Sequence, residues 1–435
     1  MRKIIQYMMM ALIAVVLASC ANDIIEESTP TVKSNIRFVV DDFPMFEKPS
    51  TRTIGEEDKG KTAWAVGDEI CVKLESKELG TQTATLKYNG VKFEIQDGNS
   101  LCYLDGEPVT AYAYYAPNRR WLNDGNLGYK DGEHDGTAEF LEATCTVHYG
   151  DDNYVDISFA NATRNYSRLR IATIPKTEIK VDADNFAPTD NPNLLYMTYT
   201  LTSDEKGNAY LYGTFDNNSI VTVKYRGASL ATHKFSKKTE NAKSYALDAT
   251  VVSLADEGIT YNQIVENVKK ELDAGKTYIN IILAPDVDKE TLEAILIGLQ
   301  DAGYGSINLT LIGCKKIPYE GFKHFNMLKS IVLPDVTEIE ENAFSDCSGL
   351  QKVVLGNLTK VYGNVRENGI FDGLDTKYID LVLSKDQKAM NDGEAEGRYC
   401  WTADIITDYD LSNEHVSKKF LGYEFKSITC RYKFE

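Results

Sequence analysis

Two stretches of the chain place residue types at spacings that chemistry uses. Gly55-Glu56-Glu57-Asp58-Lys59-Gly60-Lys61-Thr62 satisfies G-x-x-x-x-G-K-[ST] letter for letter. In that pattern a glycine-rich loop aims backbone N–H groups at phosphate oxygens while the lysine reaches the terminal phosphates. It works only between a buried strand and a helix. Here the preceding stretch is polar, Trp64 to Asp68 has no helical period, and Glu56, Glu57 and Asp58 would repel phosphate. A solvated charged loop is expected instead. Asp131, Glu133, Asp135, Gly136, Glu139 and Glu142 stand at positions 1, 3, 5, 6, 9 and 12 of a calcium-loop pattern. Oxygen ligands so spaced can wrap a hard cation. The loop lacks flanking helices and has glutamate where aspartate or asparagine is preferred, so Asp131, Glu133, Asp135 and Glu142 form only a weak calcium candidate.

The remaining side chains argue against catalysis. His134, His148, His233, His324 and His415 are scattered, with no H-E-x-x-H and no i, i+4 pair, the arrangements that hold a catalytic zinc. Neither G-x-S-x-G nor a cysteine with a histidine partner is present. No enzyme activity, no metal and no cofactor are expected. Tyr112, Tyr114, Tyr115, Arg119, Arg120 and Trp121 form an aromatic and basic cluster. Its ring faces could stack on sugars, but a strand turning its rings into a core is the plainer expectation.

The elements that must position these residues are bounded by composition. The 435 residues carry 47 Lys+Arg against 65 Asp+Glu, a net charge of −18. Nucleic-acid binding, which needs a basic face, is excluded. With 43% hydrophobic residues the chain can bury real cores, and its length suggests about two to four domains. Arg2 and Lys3 precede the apolar run Met8 to Leu17, which is too short to span a bilayer and reads as a signal-peptide core. Leu17-Ala18-Ser19-Cys20 resembles a bacterial lipobox, which implies removal of residues 1–19 and lipidation of Cys20. Asp23, Glu26 and Glu27 then resemble the surface-export signals of Bacteroidota lipoproteins. The expected address is the outer membrane: lipid-anchored, exposed at the cell surface, with residues 20–35 as the tether. No later run of eighteen apolar residues exists, so the chain is anchored to the membrane without crossing it. The other seven cysteines, Cys71, Cys102, Cys145, Cys314, Cys347, Cys400 and Cys430, are widely spaced. They suit neither a disulfide framework nor a zinc site, and most are expected in cores.

From residue 28 to about 250 short runs alternate apolar and polar residues, as in Ile36 to Val40, Glu69 to Leu74, Tyr210 to Tyr212 and Ile220 to Val223. Turn pairs such as Asn89-Gly90, Asp105-Gly106 and Asp124-Gly125 separate them, and the pattern predicts β-sandwiches. Arg52-Thr53, Trp64-Ala65-Val66-Gly67-Asp68-Glu69-Ile70, Ala111 to Pro117, Ser167-Arg168-Leu169-Arg170-Ile171 and Lys243 to Asp248, in that order, resemble the fimbrillin-like surface proteins of Bacteroidota. The resemblance implies tandem sandwiches, 36–164 and 165–250, and candidate processing after Arg37 or Arg52.

After Ala249 the period changes. Ile264, Val265, Val268 and Leu272 have helical spacing before Gly275, and Asp288 can cap a second helix bearing Leu292, Ile295, Leu296 and Leu299. Leu311, Leu333 and Leu355 are spaced 22 and 22, with Leu381 the next equivalent after 26; Phe322 and Phe344 are also 22 apart. The unit Leu328-x-x-Ile331-x-Leu333 recurs as Leu350-x-x-Val353-x-Leu355, the skeleton of a leucine-rich repeat. Val336 to Leu350 resembles the BspA-type repeat. The predicted fold is multidomain: all-β tandem sandwiches of the fimbrillin-like kind, then an α/β leucine-rich-repeat solenoid over 251–390, closed by a cap over 391–435. One repeat cannot bury its own apolar face, so the units must stack and present an extended surface. Three functions are expected of such a chain. It is a non-catalytic adhesin or binding protein for a protein or glycan ligand on the host or on other bacteria. Alternatively it is an accessory or tip component joined to fimbrial subunits by donor-strand exchange, or a glycan-binding lipoprotein.

Overall fold

The computed structural model describes residues 32–33, 36–46, 60–96, 101–150, 153–160, 164–189, 196–255, 258–273, 275–303, 305–365, 367–403 and 418–431. Residues 1–19, Cys20, Arg52 and Gly55 to Lys59 lie outside these. Strands dominate, and among the described residues there are two α-helices, both after residue 258.

Residues 36–166 close around one core. A five-stranded antiparallel sheet, in the order 141–142, 109–115, 69–76, 80–88 and 93–95, faces a three-stranded one in which Arg37–Val40 is an edge strand. Alternation decides the packing from Val72 on: Val72 and Leu74 are fully buried while Lys73 and Glu75 are not. The edge strand runs parallel to Tyr154–Ser158, pairing Arg37 with Tyr154 and Val40 with Ile157.

Residues 167–249 build a second core differently from the expected pair of sheets. The runs Tyr210 to Tyr212 and Ile220 to Val223, read as separate strands, belong to one 18-residue strand, Asn208–Tyr225. Asp216-Asn217-Asn218, between the two runs, are residue types that favour turns. Here they crease the strand, with Asn218 at φ 67° facing a register shift at Asn185, φ 51°, in Glu178–Pro188. Ser219 Oγ donates to the Asn185 carbonyl across the crease at 2.8 Å. A single six-stranded sheet thereby folds onto itself.

From Leu254 to Ile428 one continuous core runs through the rest of the chain. Seven parallel strands form its main sheet, in the order 252–254, 278–283, 307–312, 328–333, 352–355, 380–384 and 427–431. The helix Tyr261–Asp273 begins at Thr260, whose backbone N–H donates to Gln263 Oε1 while the Gln263 N–H donates back to Thr260 Oγ1, a capping box. Asp288 caps Lys289–Asp301 by accepting from the Thr291 N–H. Leu292, Ile295 and Leu299 point inward with no exposure, each contributing about 1.5–3 kcal/mol.

Beyond Ile307 the coils depart from an α/β solenoid. Their outer arcs hold no α-helix among the described residues; they are tight turns and a second short parallel ladder, 316–317, 338–339 and 360–362. Left-handed residues Glu320, His324, Asn342 and Asp346 interrupt any helical run. The register corrects the repeat in two places. Leu381 pairs with Val353, so the partner of Leu355 is Leu383, and the third coil is two residues longer than expected. The first unit lacks a leading leucine at Ser306, but a register shift brings Ile307 opposite Leu328. Within the 391–435 segment expected as a cap, the described strands continue the two sheets. Arg398–Ala403 and Met390–Ala395 extend the second sheet, and Ser427–Arg431 extends the first. Phe322, Phe344 and Phe371 stack through the coils at 5.4 and 5.6 Å, with Phe425 edge-on at the end. Gly349 permits the close approach of neighbouring coils: a Cβ there would overlap the Asn326 carbonyl oxygen.

Candidate functional site

The residues with chemical spacing are used structurally. Lys61, from the phosphate-loop pattern, pairs with Asp68 and lies over Phe43, Trp64 and Tyr115 at 5.4, 5.8 and 5.2 Å. The ammonium is held by a carboxylate and three ring faces, an arrangement with no room for phosphate oxygens.

The calcium-pattern carboxylates do not converge. Asp131 pairs with Arg120, Asp135 accepts from the Tyr129 hydroxyl, Glu133 accepts from Thr137, and Glu142 sits in the sheet opposite Tyr114. Gly136 bends the loop against the second domain: its carbonyl accepts from the Tyr212 N–H at 2.8 Å. A Cβ there would come within 2.8 Å of Pro188, and the φ of +76° favours glycine besides.

Arg37 stands in the edge strand with its guanidinium 5.3 Å from the Tyr154 ring. Among the described residues the histidines stay apart: His148 stacks on Tyr154 and bonds Asp156, His233 lies edge-on to Phe235, and His324 pairs with Asp346, while His415 lies outside the described residues. In the aromatic cluster Tyr115 enters the core, while Tyr114 stacks on Phe140 and meets Trp121 edge-on. Trp121 Nε1 donates to the Ala84 carbonyl and Lys73 covers Tyr112 at 4.5 Å. These rings pack on one another and on the sheet. All seven described cysteines are free, and four are buried. Burial pushes the thiols of Cys314 and Cys347 up to about 12, so they are inert.

Two constructions went unread in the sequence because their partners are far apart in it. The first lies inside the first domain, next to its boundary with the second. Arg164 and Glu139, both almost fully buried, pair at 2.5 Å, and the guanidinium also donates to the carbonyls of Pro44 and Met45 at 2.6 and 3.3 Å. Burial drives the Glu139 carboxyl upward, while Arg164 opposes the rise. The second is the outward face of the main parallel sheet. Thr310, Val332, Val354, Val382 and Thr429 align across the coils, with Thr310, Val354 and Val382 buried, beside a more exposed polar row of Asn308, Ser330, Lys352, Asp380 and Ser427. Ser330 Oγ donates to Asn308, and Ser427 Oγ and Lys426 Nζ to Asp380. At the first coils this face is covered by the second domain, since Ile312 belongs to that domain's core and Asn280 donates to the Leu230 carbonyl.

No protein-family model and no curated protein matches the chain. Three solved structures share weak likeness, each at 10% identity. A candidate cell adhesion protein of Bacteroides fragilis has a TM-score of 0.25, covering 52% of this chain and 95% of its own. The fimbrial anchor protein Mfa2 of Porphyromonas gingivalis has 0.22, covering 47% and 82%. The TIE protein of Bacillus anthracis has 0.13, covering 44% and 31%. At such scores the likeness carries no argument.

Proposed function

We propose that this chain is a non-catalytic binding protein of the cell surface. In this reading it is anchored at Cys20 and uses the outward face of its parallel coils to hold a macromolecular ligand. The observation that carries the proposal is the paired ladder across that face. The polar row of Asn308, Ser330, Lys352, Asp380 and Ser427 is the more exposed one and runs in register over several coils beside a mostly buried row, a repeating surface suited to a protein or glycan rather than a small molecule. The dispersal of the histidines, of the calcium-pattern carboxylates and of the phosphate-loop lysine supports binding over catalysis. The sequence resemblances to fimbrillin-like proteins and to BspA-type repeats agree with an adhesive or fimbria-associated role at the outer membrane.

The test is adhesion of purified full-length protein to immobilised host matrix proteins and to a glycan array, comparing wild type with Val332→Asp/Lys352→Glu. Loss of binding with unchanged melting is expected. Equal binding by the double variant would refute the assignment of the ligand to this face. Protease shaving of intact cells should release fragments of the 251–435 region, and protection of that region would count against a surface address.

A further inference from the structure

We infer that the edge strand Arg37–Val40 and Arg164 form a mechanical clamp that resists tension between the N-terminal side of the chain and its C-terminal domains. The strand is paired along its whole length with Tyr154–Ser158, bounded by Arg37 N–H to the Asn153 carbonyl at 3.2 Å and Asp41 N–H to the Ile157 carbonyl at 3.1 Å. Because the two strands are parallel, the chain enters one at the Asn153 end and leaves the other at the Ser158 end, toward Arg164 and the later domains. Pulling the two chain ends apart slides one strand along the other. All the ladder bonds then share the force, whereas peeling would break them one at a time.

Sliding would also drag the segment Asp41 to Phe46 out of its seat. Trp64 Nε1 donates to the Asp41 carbonyl at 2.7 Å, and the Phe43 ring lies edge-on to Trp64 and Tyr115 at 4.9 and 5.1 Å. Arg164 closes the seat from the other side, holding the Pro44 and Met45 carbonyls and covering the Phe46 ring at 4.2 Å. Its placement in the chain is the decisive fact. Arg164 lies three residues before Ser167–Ala172, on the segment pulled toward the C-terminus, and its acceptors lie on the segment pulled toward the N-terminus. One buried guanidinium thus ties the two oppositely loaded segments directly, while Glu139 fixes its orientation through Nε. Forked, charge-assisted bonds are about twice as strong as neutral ones.

The experiment is single-molecule pulling on the full chain, with handles at the two ends. Arg164→Met should lower the force at which the first domain ruptures to roughly half, since the charged fork is lost. A second geometry places the N-terminal handle in a ligation tag inserted between Lys77 and Glu78, at the exposed turn after the strand Glu69–Ser76, which takes the edge strand off the path of force. There, Arg164→Met should rupture at the wild-type force. Equal loss in both geometries would reduce Arg164 to an ordinary stabilising residue, and no loss in the first would remove the clamp altogether. If Arg164→Met does not fold, Arg164→Lys, which keeps the charge and loses the fork, is read in the same way.

Discussion

The sandwich half and the coiled half solve the same problem with opposite materials. Between residues 36 and 249 there are two separate cores, each braced from within by buried polar chemistry: Arg164 with Glu139 in the first, Ser167 with Gly213 and Thr239 and Arg168 with Ser244 in the second. Between 254 and 428 there is one dry core, and coils are tied by backbone bonds from turn to turn, such as Phe322 N–H to Ala343 and Phe344 N–H to Ile370. Side chains brace each sandwich across distant segments, whereas in the coils backbone bonds carry most of the contact from turn to turn.

The largest effects should separate the halves. Phe344→Ala removes the middle ring of the stack and should destabilise the coils by about 3–5 kcal/mol, seen in hydrogen exchange as lost protection after residue 254 and unchanged protection before it. Glu139→Ala leaves a buried guanidinium uncompensated and should cost about 3–5 kcal/mol on the sandwich side alone. A common transition for both variants would break the comparison. Acid should act on the coils through Glu340. Burial raises its carboxyl, but Lys316 and Arg398 outweigh burial and hold it below its ordinary 4.5. A depressed carboxylate stabilises the fold above the unfolded value and loses that contribution as pH falls through the folded one. Melting of the coils should therefore be flat near neutrality and fall below about pH 4.5, and Glu340→Gln should flatten that fall. Asp288→Ala should cost about 1 kcal/mol at the helix N-cap, measured by denaturant midpoint. Lys176→Ala, whose ion pair with Glu205 is exposed on both sides, should shift stability by less than about 0.5 kcal/mol.

The coils were readable because in-phase stacking writes the same residue at the same spacing. Leu311, Leu333 and Leu355 do align, and the helices carry their apolar stripes and the Asp288 cap. The reading slipped where the backbone compensated. The shift at Ile307 hides a missing leucine, and the extra residues near Gly363 to Gly369 moved the fourth equivalent from Leu381 to Leu383. Alternation revealed strands but not how sheets close, since Asp216-Asn217-Asn218 looks alike as a turn or as a crease. The calcium and phosphate patterns matched in letters because spacing along a chain does not fix where side chains meet. The Arg164 seat was invisible for the converse reason: its carbonyl acceptors lie 119 and 120 residues away and leave no local pattern.

The joint at Ile312 and Asn280 has a geometric consequence. The first coils are built into the second domain's core, so the ladder face is fixed relative to that domain, and its compass bearing is set when the chain folds. On the proposed function, the direction from which a ligand is met would therefore be set by residues at this joint as much as by those on the face itself.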